Sequence, residues 1–329
     1  MNIVHAASEL FPFMKTGGLA DAVGGLTKAL AAAGHEVSVF IPGYRAALEH
    51  PDAEGAERVH RLQIELGGRF LEADLLRLRV APRYTVYFVA RDEFFDRRGA
   101  YGTNGRDYDD NAERFIFFSK AVAEAMRLAD LKADIVHAHD WQTALLPVYV
   151  RLVEERHDTS LAVKTVFTVH NLSFQGVFPM DAFALTNLPE EFRSVDGLEF
   201  FGQLNLMKAG LLFGDRLTTV SPTYAREIQS PEYGCGLEGV IATRAADLVG
   251  LLNGVDEAVW NPATDVLLPA RYTADDPAGK AKCRRALLKK CGFDAETKVP
   301  IFAMITRLTE QKGIDLLLSA RRFFETEDC

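Results

Sequence analysis

Apolar runs of strand length alternate along the chain with longer stretches whose apolar residues recur at helical spacing, the pattern of a parallel sheet covered by helices. The first cycle is the sharpest. "NIVHAA" predicts a buried strand, residues 19–33 an amphipathic helix stopped by Gly34, and "HEVSVFIP" the next strand. "RLQIELG", "LLRLRVAP" and "YTVYFVA" predict further strands, residues 110–128 a long helix, "ADIVHAHD" a strand, "TALLPVYVRLVEER" a helix and "AVKTVFTVHN" another strand. This doubly wound α/β pattern closes near residues 248–256, and an irregular run with Pro262, Pro269 and Pro277 follows. After a short basic helix at 279–291, "VPIFAMI" and "GIDLLLSARRFF" predict one more strand and helix. A strand with no neighbour leaves its backbone unpaired and its apolar side chains wet, so this last part reads as the beginning of a second domain, the alternative being that it docks as an edge on the first.

Composition narrows the partners. A formal net charge of -9 lacks the basic footprint that phosphate-backbone binding requires, which argues against nucleic acid and makes any anion site a local one. The four cysteines show no C-x-x-C pairing, as expected of a reduced, cytoplasmic compartment. No basic stretch precedes the first apolar residues and no run of about 18 apolar residues occurs, so neither a signal peptide nor a membrane span is expected.

The candidate chemistry gathers at strand ends, because doubly wound folds bind ligands outside the carboxyl ends of their strands. "MKTGGLAD" occupies the first such turn. Gly17 and Gly18 let a ligand approach the backbone, the helix start offers unpaired N–H groups, and Lys15 adds a full positive charge. The alternative is a tight turn with a solvated lysine, since K-x-G-G is neither the P-loop nor the dinucleotide pattern. "DIVHAHDW" ends on His137, His139 and Asp140; the two histidines share one strand face, but no third ligand at fixed spacing accompanies them, so hydrogen-bonded histidines are expected rather than a metal site. "VFTVHN" delivers His170 and Asn171, types suited to sugar hydroxyls or to charge developing at a sugar ring. "ITRLTEQKG" sets Arg307 and Lys312 around a later turn, either a second anion site or a surface charge cluster. "GCGLEG" matches G-x-G-x-x-G at Gly234, Gly236 and Gly239, yet it follows "SPEY" rather than a buried strand, so a helix-entry loop is expected and a dehydrogenase is not.

The ordered set "SELFPFMKTGGLADAVGGL", "HEVSVFIPGY", "DNAERFIFF", "DIVHAHDWQTALLP", "FTVHNLSFQGVF", "LNLMKAGLLFGDRLTTVSPTYAREI", "YGCGLEG", "LLNGVDEAVWNP" and "ITRLTEQKGIDLL" resembles the ADP-glucose-dependent glycogen and starch synthases over nearly the whole chain. The resemblance implies a GT-B architecture of two Rossmann-like domains across a cleft, with residues 1–250 as the acceptor-side domain, 251–298 as hinge and linker, and 299–329 as the start of the nucleotide-sugar domain. It implies a retaining glucosyltransferase that needs no metal or cofactor and adds glucose from ADP-glucose to the non-reducing 4-hydroxyl of glycogen or another α-1,4-glucan. Lys15, Gly17 and Gly18 would approach the donor, with Asp21 supporting their loop, and Arg307 and Lys312 would neutralise the diphosphate. His170 and Asp140 would hold the transferred sugar and incoming hydroxyl, Tyr101 would line the acceptor side, and Asn253 would lie near the donor. Family members continue into a loop with two glutamates seven residues apart and a further threonine-glycine-glycine loop. Neither occurs here, so this chain by itself is expected to show little or no synthase activity, and a non-catalytic glucan-binding module is the alternative.

Overall fold

The computed structural model describes residues 1–157, 163–306, 308 and 310–327. Its contacts divide the chain into two compact units, Met1–Val255 and Asp256–Cys329.

The strands of the first unit's large sheet are β1 (Asn2–Ala6), β2 (Glu36–Pro42), β3 (Glu57–Leu66), β4 (Arg69–Ala81), β5 (Tyr84–Ala90), β6 (Ile135–His139), β7 (Lys164–Val169), β8 (Arg216–Thr219) and β9 (Leu248–Gly250). They lie in the order β9-β8-β7-β6-β1-β2-β5-β4-β3. From β9 to β5 every pairing is parallel. Burial on both faces explains the continuous apolar runs: Val4, Ala6, Val39, Phe40 and Ile41 are at most 2% exposed.

One edge departs from the parallel pattern. β3 and β4 form an antiparallel hairpin that joins β5, also antiparallel. Its alternation has the matching cause: Leu62, Ile64 and Leu66 are buried while Arg61, Gln63 and Glu65 face outward. The two-residue turn is Gly67-Gly68, with φ of 57° and 79°. Turns that match strand twist need positive φ at both central residues, which glycine adopts without steric cost.

The main helices of this unit are α1 (Gly18–Ala32), α2 (Asn111–Leu128), α3 (Leu146–His157) and α4 (Leu206–Phe213). On α1 the buried stripe is Leu19, Ala20, Val23, Gly24 and Thr27. Gly24 brings the preceding loop close: a Cβ there would lie 3.3 Å from the Phe11 carbonyl oxygen, and the Phe11 N–H donates to the Ala20 carbonyl at 3.2 Å. α2 carries Phe115, Phe117 and Phe118, each fully buried, and burial of such a side chain contributes roughly 1.5–3 kcal/mol. It packs against β3 and α3. Because β1 has β2 on one side and the much later β6 on the other, the winding reverses there. The crevice outside the carboxyl ends of β1 and β6 is therefore the place where this class of fold binds ligands.

The second unit contains α5 (Ala278–Lys290) and two short helices, Ile314–Ser319 and Arg321–Thr326. The strand expected at "VPIFAMI" does not form, since residues 300–305 are irregular, with Phe302 62% and Ile305 99% exposed. The physical reason is that a strand exists by pairing, and no strand among the described residues of this unit is there to pair with it. Among those residues Leu288 is the one buried apolar side chain. In native-state hydrogen exchange, amides of residues 301–305 are expected to exchange within seconds, whereas Val4 and Ala6 in β1 stay protected for hours or longer. Slow exchange at 301–305 would show pairing of that segment.

Candidate functional site

The loop from Ser8 to Gly17 leaves β1 and feeds α1. A buried acidic residue organises it. Glu9, 3% exposed, accepts from the backbone N–H groups of Thr16 (2.6 Å) and Gly17 (3.1 Å), from the Thr16 hydroxyl (2.6 Å) and from the Tyr101 hydroxyl (2.7 Å). The Ser8 hydroxyl in turn lies 2.7 Å from the Tyr101 oxygen. A carboxylate with four donors tolerates burial. Sequence reading missed Glu9; the signal was an acidic residue set directly after a fully apolar strand.

Lys15 stands on this scaffold with its side chain 41% exposed, paired with Asp21 at 2.7 Å. Asp21, one turn into α1, thereby orients the lysine. Gly17 is the residue before α1 and supplies no capping side chain. A Cβ built on Gly17 or Gly18 meets nothing within 4 Å, and neither glycine has positive φ. Neither backbone conformation nor crowding within the described residues requires glycine here. The space beside them is open to a ligand.

The ends of β6 and β7 bring Asp140 and His170 together. Asp140 Oδ1 accepts from the His170 backbone N–H at 2.7 Å and, more weakly, from that of Asn171 at 3.5 Å. Asp140 has φ 56° and ψ -178°, a region that side-chain-bearing residues avoid at a cost of about 1–3 kcal/mol. Such strain persists where the surroundings over-determine it. Burial pushes the Asp140 carboxyl up to about 7; the two backbone donors oppose the shift, and the negative charge of Glu9 adds to it. Tyr101 joins through Glu9, and its phenol is held well above its ordinary range by burial first and the Glu9 charge second.

A third histidine corrects the expectation that none accompanies His137 and His139. The parallel register of β1 and β6 sets His5 beside His137, a proximity no local spacing reveals. One ring nitrogen from each of His5, His137 and His139 lies within 4.8 Å of the other two. Their ring nitrogens already make hydrogen-bond contacts, one within the group and two outside it. His5 Nδ1 lies 3.2 Å from His139 Nε2, His139 Nδ1 lies 3.1 Å from His170 Nε2, and His137 Nε2 lies 2.6 Å from the Thr168 hydroxyl. Burial lowers all four rings, His5 to about 3 and His170 to about 4, so they are neutral near pH 7.

Asn253 lies exposed in the irregular run beyond β9, at the far edge of the sheet. Lys312 is exposed in the second unit, at the end of the turn Glu310–Lys312, and Arg307 lies outside the described residues. "GCGLEG" is a helix-entry loop as expected, leading into the short helix Glu238–Thr243.

A sequence profile of the starch synthase catalytic domain matches residues 2–243. The chain belongs to the starch synthase catalytic-domain family. Glycogen synthase from Opitutus terrae is 60% identical over 329 residues, all of this chain and 68% of that protein. Glycogen synthase 2 from Geobacter sulfurreducens is 43% identical over 319 residues, 97% of this chain and 65% of that protein. The solved catalytic domain of starch synthase IV from Arabidopsis thaliana, bound to ADP and acarbose, superposes with a TM-score of 0.88 at 33% identity, covering 98% of this chain and 66% of that one. The chain thus spans about two thirds of the length of its relatives. Membership establishes the α/β fold as that of the starch synthase glycosyltransferases. No helix among the described residues is long and apolar enough to cross a membrane.

Proposed function

We propose that the chain serves glucosyl transfer from ADP-glucose to the non-reducing 4-hydroxyl of glycogen or another α-1,4-glucan, with retention of configuration and without a metal or cofactor, in the cytoplasm. The observation that carries this reading is the turn at Lys15: two glycines with no internal need to be glycine, beside an oriented cation, at the carboxyl end of the strand where the winding reverses. The solved starch synthase IV catalytic domain bound to ADP and acarbose supports it.

In this reading the donor's phosphates and glucose approach Gly17 and Gly18, and Lys15 faces the negative charge that builds as ADP departs. The family resemblance gives Arg307 and Lys312 the role of neutralising diphosphate charge. Departure of ADP leaves positive charge on the sugar; the Asp140 carboxylate opposes it, and His170 holds hydroxyls of the transferred glucose. Tyr101, fixed by Glu9, lines the acceptor side, and Asn253 lies toward the donor. Residues 299–329 supply the beginning of the nucleotide-sugar domain, after a hinge and linker at 251–298.

The deciding experiment incubates the protein with ADP-glucose and glycogen, with UDP-glucose as the comparison donor, and sediments glycogen in parallel. Transfer from ADP-glucose supports the reading. Transfer that appears only when the donor-domain portion carried by family members is added supports it equally; co-sedimentation without transfer even after that addition favours a glucan-binding module, and absence of both removes either reading. A sharper check is Gly18→Ala, which adds a methyl to open space in the first turn of α1. Helix propensity should raise stability by about 0.5–1 kcal/mol. The KM for ADP-glucose should rise about tenfold, and an unchanged KM would remove Gly18 from the donor site.

A further inference from the structure

The four histidines at the carboxyl ends of β1, β6 and β7 have one arrangement of protons that suits them all. Both nitrogens of His139 are engaged, Nε2 with His5 and Nδ1 with His170. Each neutral imidazole carries a single N–H, so the three rings must donate in one direction along the line. If His170 donated to His139 and His139 to His5, the remaining proton of His5 would sit on Nε2. That atom is fully buried and has no partner among the described residues. A buried N–H without an acceptor is costly, whereas an unshared lone pair there is tolerated better. In the opposite direction His5 Nδ1–H donates to His139 Nε2, and His139 Nδ1–H donates to His170 Nε2. His170 then keeps its proton on Nδ1, at the partly exposed end of the line.

We infer that His5, His139 and His170 form a polarised imidazole chain that presents the Nδ1–H of His170 to the bound sugar as a fixed donor, with His139 as the positioning residue. This rests on the transfer reading for the sugar, though the chain of protons itself does not. His137, stacked on His139 with ring centroids 4.0 Å apart, holds that ring from the side while anchored to Thr168. A metal ion shared by His5, His137 and His139 would have to break a bond at His139, whose two nitrogens are both in use; the chain and such a site are therefore mutually exclusive.

The test is nitrogen-15 NMR of the histidine rings, with glucosyl-transfer kinetics alongside. In the wild-type protein His170 should appear as the Nδ1–H tautomer. His139→Gln can accept from His5 through its amide oxygen and donate to His170 through its amide nitrogen, so the tautomer and kcat should be largely kept. His139→Phe preserves a flat ring but cuts the chain; His170 should shift toward the Nε2–H form, with kcat falling roughly 10–100-fold, the usual range for losing a partner that fixes an imidazole. If His139→Phe does not fold, the wild-type and His139→Gln spectra still decide. An Nε2–H tautomer of His170 in the wild type, or an unchanged tautomer in folded His139→Phe, overturns the inference. So does concerted movement of the His5, His137 and His139 signals on titration with Zn²⁺. Tautomers as expected in a protein without transfer activity would uphold the chain and remove the transfer reading instead.

Discussion

Asp140→Asn is expected to give a protein that melts higher at pH 8 and has lost most of its transferase activity. The carboxyl is raised from 3.8 to about 7, chiefly by burial, so between those values the folded protein binds a proton that the unfolded chain releases. Stability contributed by this group therefore declines as pH rises from about 4 to about 7, and the deficit is complete above that. Asparagine has no charge to desolvate, keeps an acceptor for the His170 and Asn171 N–H groups, and bears the same backbone strain as aspartate. At about 1.4 kcal/mol per pKa unit, discounted for relaxation around the site, the gain at pH 8 is about 2–4 kcal/mol. That corresponds to a Tm increase of roughly 5–10 °C in a unit of this size. The gain should vanish near pH 4, where wild-type Asp140 is protonated when folded. Buried His5 and His170 also destabilise the protein below about pH 6.5, but in both proteins alike, so the difference isolates Asp140. Loss of the charge opposing the developing cation should lower kcat roughly 100–1,000-fold. Wild-type kcat should likewise fall on acidification through about pH 7. Calorimetry and rate profiles across pH test both halves; equal melting temperatures at pH 8 would mean that Asp140 is not desolvated as the fold implies.

Much of the fold was legible because burial on both faces writes itself into β1, β2 and β7 as unbroken apolar runs, and one-face burial writes itself into α1 as helical spacing, while α2, buried around most of its circumference, shows itself by length. The reversal to an antiparallel edge was less legible. Alternation in "RLQIELG" identifies a strand, but the direction of pairing follows from the Gly67-Gly68 turn, whose backbone the letters only permit. "VPIFAMI" shows the converse failure. Its composition favours a strand, yet composition cannot supply the hydrogen-bonding neighbour that makes one.

The site divides along a similar line. Turns at strand ends announce Lys15, Asp140 and His170 through residue type and position. His5 was invisible because its tie to His139 spans 134 residues and exists only through the register of β1 against β6. The strain at Asp140 was equally hidden, since aspartate in a turn is ordinary until its φ is known. In both cases the informative quantity was a relation between strands, not a pattern along one.

Glu9 joins these levels and leads to the second large effect. Its four acceptor contacts fix the loop that carries Lys15, and its charge is one of the influences that hold the Asp140 carboxyl high. In Glu9→Gln one oxygen becomes an amide nitrogen, so a donor must face either the Thr16 and Gly17 N–H groups or the hydroxyls of Thr16 and Tyr101. Hydrogen bonds to a charged group contribute about 1.5–3 kcal/mol each, and the rearranged loop recovers part of that, so a loss of roughly 2–4 kcal/mol is expected. The melting temperature should fall by roughly 5–10 °C. The KM for ADP-glucose should rise, because Lys15 no longer has a fixed base, whereas Lys15→Ala should raise KM without the loss of stability. Removing a negative neighbour also favours ionisation of Asp140, so the acid limb of the rate profile should move to lower pH in Glu9→Gln. A stability loss with no movement of that limb would confine Glu9 to loop structure; movement of the limb with intact stability would mean that the four contacts contribute little. The two readouts together separate the scaffold role of this carboxylate from its electrostatic one.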